Sequence, residues 1–414
     1  MAKRTQVDVA VIGGGPAGMA AAAAAREAGA GSVVLVERDR VFGGVLNQCI
    51  HDGFGTKVFN QTMTGPEYAA IYADKVKETE VEPWLETLVL NLDRDRLLTV
   101  MSGRGMQQVE AGAIVLAMGC RERSRGAIGI PGTRPAGVYT AGAAQYYMNI
   151  RNIAVGRRVV ILGSGDIGLI MARRLTLEGA EVVCVAEILP YASGLVRNLV
   201  QCLDDFNIPL YLSTTVSEIH GDKRVEGVTL TDVGPNMEFK PETSRRIDCD
   251  TLMLSVGLIP ENELSVRAGV DMSPVTAGPV VDGSFQTSIP GVFAAGNVLQ
   301  VHDIVDYATL EAENAGRNAA LYAQTGKLPE SKIEVKAGAG LRYVLPAKIS
   351  GEEAVDFTMR VVEPAHDRSI LFKSNGRLLR RLRQPSVEPA LMVRVRLAKN
   401  RFADVKEITV EVGE

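Results

Sequence analysis

Cysteine is scarce in this chain, and scattered where it occurs. Of 414 residues five are cysteine, Cys49, Cys120, Cys184, Cys202 and Cys249, and no two stand closer than 18 positions. Neither a CxxC redox pair nor a zinc ribbon can be built locally from such a set, and no metal site is expected. An odd, dispersed set points to a reduced compartment rather than to a disulfide framework. The sequence also lacks any run of about 18 apolar residues, so no transmembrane helix is expected. The first strand begins by residue 7, which leaves no room for a signal peptide. The expected location is the cytoplasm.

Aromatic residues are missing from the one basic patch. Net charge is −4 but uneven: residues 331–414 carry 16 Lys and Arg against 11 Asp and Glu, and the rest carry 29 against 38. Arg377, Arg380, Arg381 and Arg383 cluster in that basic tail. Without aromatic interleaving or a known module, nucleic acid is not the expected partner. A solvated face or a protein contact fits better. The remaining composition, 46% hydrophobic and 23% charged, is that of a globular chain with room for two or three domains.

What is present is a repeated glycine signature. Val9, Val11 and Ile12 form an apolar run of strand length, which breaks into Gly13-Gly14-Gly15-Pro16-Ala17-Gly18 before an alanine-rich helix over residues 19–28. Strand, glycine turn and helix are the context that gives G-x-G-x-x-G its meaning. Gly13 allows the tight turn, Gly15 lets backbone approach a pyrophosphate, and Gly18 lets helix pack on strand. A pyrophosphate would sit on the helix N-terminus, where free N–H groups and the dipole favour an anion. A second strand, 32–36, ends in Glu37, roughly 20 residues on, where a carboxylate meets an adenosine ribose. The turn therefore predicts dinucleotide binding.

The pattern then recurs. Arg158 to Leu162 is a strand, Gly163-Ser164-Gly165-Asp166-Ile167-Gly168 the turn, and residues 169–178 the helix. The following strand, 181–186, ends at Glu187, again in the ribose position. Two fingerprints mean two dinucleotides or one duplicated unit. An acid at Glu187 favours NAD, since a 2′-phosphate would be repelled; Arg173 and Arg197 keep NADP open. The strand 250–256 ending at Gly257 closes this unit. Gly291 to Asn297, a strand running into a glycine before a helix over 305–323, returns the chain to the first fold.

Between these lie other signals. Gly43-Gly44 would let the chain pass close to a bulky cofactor. Thr64 can cap the next helix, with Pro66 in its first turn. Residues 84–101 suggest a strand pair, and Ala113 to Ala117 another buried strand ending at Met118-Gly119. Residues 331–414 alternate as short strands, and Ser374-Asn375-Gly376-Arg377 is a hairpin signal.

Taken in order, residues 8–18, Glu37 with Gly43-Gly44, 117–119, 163–168 and 287–297 resemble the two-dinucleotide-binding-domain flavoproteins. This is the superfamily of thioredoxin reductase and the pyridine nucleotide–disulfide oxidoreductases, and the resemblance covers residues 7 to about 325. It implies an α/β fold with two Rossmann-like three-layer dinucleotide-binding domains, the second inserted in the first, plus a small C-terminal β domain. The implied domains are 1–150 with 260–330 for FAD, 151–259 for NAD(P)H, and 331–414 at the C-terminus. The residues that would contact FAD are Gly13, Gly15, Pro16, Ala17, Gly18, Glu37, Arg38, Gly43, Gly44, Val45, Leu88, Ala117, Gly119, Gly296 and Asn297. Those that would contact NAD are Gly163, Gly165, Asp166, Ile167, Gly168, Glu187 and Gly257. Where the superfamily usually has Asp, this chain has Asn297, which keeps hydrogen bonds and loses a charge. The helix beginning near His302 to Val305 would aim its N-terminus at the flavin and favour a reduced ring.

Residues 43–55, 64–69, 118–145 and 257–264 are similar to one subgroup. Its members are FAD/NAD-dependent oxidoreductases found with glycerol-3-phosphate dehydrogenase-like flavoproteins and a small cysteine-rich protein, and are related to flavin subunits of hydrogen cyanide synthase and opine oxidases. The resemblance implies a subunit moving electrons between NAD(H) and a partner flavoprotein, and an oligomer is compatible with it. Two other readings stay open: a self-contained amine or opine dehydrogenase or oxidase, and a non-catalytic dinucleotide-binding regulatory or scaffold subunit. Disulfide reduction fails on residues, because no cysteine pair is present and the tail holds one histidine, His366. Cys49 is the one candidate catalytic side chain, a redox thiol near His51 that would need a lowered pKa; a buried inert thiol is the plainer alternative. Cys120 is expected to pack, and Arg121, Arg123 and Arg125 to form loop contacts or clamp an anion.

Overall fold

A computed structural model describes residues 3–414. By contacts the chain divides into two units, one running to Cys120 and resuming at Pro260–Glu414, the other Arg121–Ile259. The first unit is built on a sheet in which Glu82–Trp84, Val33–Val36, Lys3–Ile12 and Gly105–Leu116 run parallel in that order. The strands Leu97–Ser102 and Leu88–Leu92 then extend it antiparallel, as the suspected strand pair. Gly105–Leu116 pairs with Lys3–Ile12 along one edge and is long enough to serve two further partners along the other. Its first part pairs with Leu97–Ser102, while Ile114 to Leu116 pair with the returning strand Val292–Ala294.

Alanine explains how the helices cover this sheet. Ala20 to Ala25 are all buried on the helix Pro16–Glu27, and small side chains let another backbone come close. The long helix Val305–Thr325 does so at Gly316, where a Cβ would stand 2.1 Å from the Ala21 carbonyl oxygen. The helix Gly65–Glu78 starts at Thr64 with a full capping box, Thr64 and Glu67 each serving the other's backbone N–H. The Tyr68 and Thr309 hydroxyls, 2.7 Å apart, tie it to the long helix.

The second unit repeats the plan at smaller scale. Leu210–Tyr211, Glu181–Ala186, Arg158–Leu162, Thr251–Leu254 and Val138–Thr140 form a parallel sheet. A three-stranded antiparallel sheet, Thr214–Gly221, Val225–Val233 and Phe239–Ile247, lies beside it in sequence. Its boundary differs from the sequence expectation of residue 151. Val138–Thr140 pairs with Thr251–Leu254, and the helix Ala141–Asn149 packs in the same core, so the chain changes unit after Cys120. A three-residue strand has too short a pattern to announce itself.

Residues 331–414 fold as two small sheets around Phe357, Phe372 and Phe402, with Phe357 and Phe372 edge to face at 5.2 Å. Contacts group this β domain with the first unit. The hairpin joins Ala365–Ser374 to Arg377–Val387, with Asn375 and Gly376 both at positive φ, 47° and 78°. The arginine-rich strand is an edge of its sheet. Charge on an edge strand blunts pairing with other chains. Among the described residues no helix is long and apolar enough to cross a membrane, and no cluster of three or more His, Cys, Asp or Glu could hold a metal ion.

Candidate functional site

The first turn is crowded at both ends and open in the middle. Gly13 sits at φ 104°, where a Cβ would stand 2.4 Å from the Ala117 carbonyl oxygen. A Cβ on Gly18 would come within 1.7 Å of the Gly13 carbonyl oxygen, so strand and helix touch there. Gly15 has nothing within 4 Å of its Cβ position. It is also the N-cap of Pro16–Glu27, and no side chain caps that helix. Free N–H groups beside an open glycine make an anion cradle.

Glu37 holds the turn from the next strand. Its carboxylate accepts the Gly14 N–H at 2.6 Å and the Asp39 N–H at 2.8 Å, and the residue is buried. An ionised carboxylate has about four acceptor positions, so capacity for a ribose hydroxyl remains. The Thr87 N–H donates to the Glu37 carbonyl at 2.9 Å, which brings Leu88 to this end of the sheet. Gly43 donates to the Gly14 carbonyl at 2.8 Å, and a Cβ on Gly44 would lie 3.2 Å from Gly15 Cα. From the returning chain, Gly296 at φ 74° would put a Cβ 2.6 Å from that of Ala17. The fold thus gathers Gly13, Gly15, Pro16, Ala17, Gly18, Glu37, Gly43, Gly44, Ala117 and Gly296 around one cradle. Val45 and Leu88 present apolar side chains about half exposed, and Arg38 is exposed just past the acid. Gly119 also has open space around it. Small, open and donor-rich, these residues fit FAD.

Asn297 is oriented by its own loop. The His302 N–H donates to Asn297 Oδ1 at 3.0 Å, which leaves the amide nitrogen as donor, 3.6 Å from Cys120 Sγ. An aspartate there would offer only acceptors. The helix Val305–Thr325 begins without a side-chain cap, but Asp306 in its first turn is fully buried and accepts N–H groups of Gly55, Lys57 and Val58. The positive end of that helix is therefore already partly matched by a carboxylate.

Cys49 does not offer a thiolate. It is buried beneath the start of Gly65–Glu78, where its carbonyl accepts the Gly65 N–H, and its thiol donates to the Val45 carbonyl at 3.3 Å. Burial pushes the thiol pKa up to about 12, opposite to what a redox nucleophile needs.

In the second unit the same geometry returns with different fastenings. Gly163 stands at φ 94° against the Ser255 carbonyl oxygen, and a Cβ on Gly168 would meet Ser255 Cβ at 2.6 Å. Gly165 is the uncapped N-cap of Asp166–Leu177. The buried Glu187 accepts from Ser164 N–H at 2.9 Å, the Ser164 hydroxyl at 2.5 Å, the Ser193 hydroxyl at 2.9 Å and the Leu189 N–H at 3.0 Å. Asp166 accepts from Leu195 N–H and the Asn198 amide, and Ile167 lies beside it on the helix. Gly257 at φ 95° accepts the Arg123 N–H at 3.0 Å. This set fits a second dinucleotide.

Sequence reasoning missed Ser164, Ser193 and Gly194. The signal was an offset: Ser193-Gly194 follows Glu187 by the same spacing as Gly43-Gly44 follows Glu37. Arg125 is spent on a loop, its guanidinium donating to carbonyls of Ile130, Pro131, Gly132 and Thr133. Arg173 lies over the Phe206 ring.

Comparison with known proteins places this arrangement. A family model described as pyridine nucleotide-disulphide oxidoreductase matches residues 7–319. One subunit of the alkyl hydroperoxide reductase of Pseudomonas aeruginosa is 29% identical over 313 residues, 72% of this chain and 54% of that protein. One subunit of the opine oxidase of Agrobacterium tumefaciens is 26% identical over 338 residues, 76% of this chain and 65% of its own length. The chain thus spans between about half and two thirds of these curated relatives. The thioredoxin reductase of T. acidophilum superposes with a TM-score of 0.61 at 24% identity, covering 78% of this chain and 98% of that one. That last likeness is one of fold.

Proposed function

The chain belongs to the pyridine nucleotide-disulphide oxidoreductase family, which uses FAD and NAD(P)H, and from that premise we propose that it transfers hydride between NAD(H) and FAD. We further propose that it exchanges the electrons with a partner flavoprotein subunit, of glycerol-3-phosphate dehydrogenase-like type, with a small cysteine-rich protein as a third component of the same complex. The observation that carries the reading is the pair of turns. Each has a middle glycine at an uncapped helix N-terminus, open at Gly15 and bounded by Ser255 Oγ at Gly165, and a buried glutamate on the next strand. That two relatives are named as subunits favours a chain that works with a partner.

When bound, FAD and NAD(H) supply the redox chemistry, and the protein supplies binding, orientation and electrostatics. Backbone N–H groups after Gly15 and after Gly165 would hold the two pyrophosphates. Glu37 and Glu187 would hold the riboses, and the buried carboxylate of Glu187 would repel a 2′-phosphate, which favours NAD over NADP. Gly296 and Asn297 would line the first cofactor's middle, with the Asn297 amide donating. No side-chain acid or base is required for a hydride step, so positioning carries the catalysis. Consistent with this, Cys49 is kept protonated.

Anaerobic mixing of the purified chain with NADH tests the reading. Bleaching of the flavin absorbance within the mixing experiment is the expected result. A chain whose flavin is bleached by neither NADH nor NADPH would leave the scaffold reading standing instead. Oxidation of an opine-like amine by the isolated chain would favour the self-contained enzyme. Copurification from the native source is expected to bring down a second flavoprotein.

A further inference from the structure

The loop between Val292–Ala294 and the helix Val305–Thr325 carries Gly296 and Asn297, yet its own residues do not set its shape. Glu311, buried on the long helix, accepts the Gly296 N–H at 2.8 Å and the Gln300 amide at 2.7 Å, and lies 3.4 Å from His302 Nε2. Gln300 is 1% exposed and looks the other way too. Its amide nitrogen reaches the Thr358 hydroxyl at 2.9 Å, and that hydroxyl faces Gln300 Oε1 at 3.3 Å. Thr358 belongs to the strand Val355–Val361 of the C-terminal β domain. Two residues on, Arg360 donates to the Val301 carbonyl at 3.0 Å and stands 3.5 Å from Asp303 Oδ1. Asp303 Oδ2 accepts the Met392 N–H at 3.3 Å from the same domain.

That strand divides its duties by face. Phe357 and Met359 point into the core of the β domain, so Thr358 and Arg360, alternating with them, share the opposite face. The polar groups that link Thr358 to Gly296, through Gln300 and Glu311, are buried and paired, and a buried network of this kind specifies one arrangement.

We propose that the C-terminal β domain is a working part of the flavin site: Thr358 and Arg360 are positioning residues that fix Gly296 and Asn297 through Gln300, Glu311 and Asp303. The proposal rests on the reading that the first turn holds FAD. It assigns the domain a role that the match over residues 7–319 does not reach. Thr358 hydrogen-bonds Gln300 and acts through it.

The test uses the full chain and three readouts: FAD dissociation constant, visible flavin spectrum and midpoint potential. Thr358→Val keeps the volume and takes the hydroxyl from Gln300, leaving its amide only Glu311, so about tenfold weaker FAD binding is expected, with a shifted spectrum and potential. Thr358→Ser restores the hydroxyl and should behave as the parent chain. Should Thr358→Val not fold, Arg360→Lys carries the same test: it keeps the charge, but one ammonium cannot replace a guanidinium whose Nη2 holds Val301 and Asp303 while its Nη1 holds the Pro389 and Ala390 carbonyls. Parent-like affinity, spectrum and potential in a folded Thr358→Val or Arg360→Lys chain would overturn the proposal. A parent chain that binds no FAD would instead sink the function proposed above.

Discussion

In the first unit Glu37 meets its turn through backbone alone, taking the Gly14 and Asp39 N–H groups, while Gly43 closes on the Gly14 carbonyl. In the second, Ser164 stands where Gly14 does and Ser193 where Gly43 does, and Glu187 is reached by both hydroxyls. The Ser193 N–H donates to the Ser164 hydroxyl at 2.8 Å rather than to a carbonyl. A backbone latch has no rotor, whereas a hydroxyl turns to suit its partners. A rigid latch with spare acceptor capacity suits a cofactor that stays. A latch already filled by its own hydroxyls, able to exchange one partner for another, suits a ligand that comes and goes.

Substitution at the middle glycines should separate the two turns most sharply. Gly15→Val enters open space, so the melting temperature should hold. Overpacking the pyrophosphate path by about 1–3 kcal/mol should weaken FAD roughly ten- to hundredfold. NADH affinity should not change. Gly165→Val should weaken NADH and spare FAD, which NADH titration and flavin absorbance would register, and should also lower the melting temperature, because a Cβ there stands 3.2 Å from Ser255 Oγ. If Gly15→Val lost NADH and kept FAD, the two sites would be interchanged.

A smaller effect should come from the fastenings themselves. Ser164→Ala with Ser193→Ala removes two donors from buried Glu187, and leaving a buried acceptor short costs about 1–3 kcal/mol. Denaturant unfolding should show that loss, alongside weaker NADH binding and unchanged FAD content. Equal stability would mean that the hydroxyls are incidental and the two latches equivalent. Glu187→Ala extends the comparison: NADH binding should fall while flavin content stays.

Cys49 offers the mildest test, since it concerns only how dry the pocket under the start of Gly65–Glu78 is. In the folded chain its neutral form is favoured. Its contribution to stability is therefore whole at neutral pH, and is lost as pH climbs from the ordinary thiol value of about 8.5 through about 12. Alkylation followed by mass spectrometry should find Cys49 unmodified at neutral pH in the native chain. Brisk labelling there would mean a thiolate and reopen a redox role.

Both turns were legible because each lays its signal within a few residues: strand, glycines, helix, then an acid at a fixed distance. The hairpin at Asn375-Gly376 was legible for the same reason, since positive φ at two adjacent positions demands particular residues. The Ser164 and Ser193 hydroxyls were not, because serine is common in loops and only the folded unit puts both on one carboxylate. Val138–Thr140 was hidden by its length, and with it the unit boundary at Cys120. Thr358 was beyond reach altogether. Its partner Gln300 is 58 positions away, and neither residue type announces a pairing at that separation. The flavin expectation for the long helix also needed the fold, because Asp306 is spent on Gly55, Lys57 and Val58 from a distant loop.

The late pairing of Val292–Ala294 with Gly105–Leu116 has a consequence for biosynthesis. A ribosome delivers the strands of the first sheet early, then the whole of Arg121–Ile259, and only afterwards the strand and helix that complete the host. The inserted unit is contiguous and can fold as it emerges, while the edge at Ile114 to Leu116 waits for its partner. During that interval the waiting strand is apolar and half paired, the condition in which nascent chains engage chaperones. Every residue of the guest is thus synthesised before the strand and helix that complete its host.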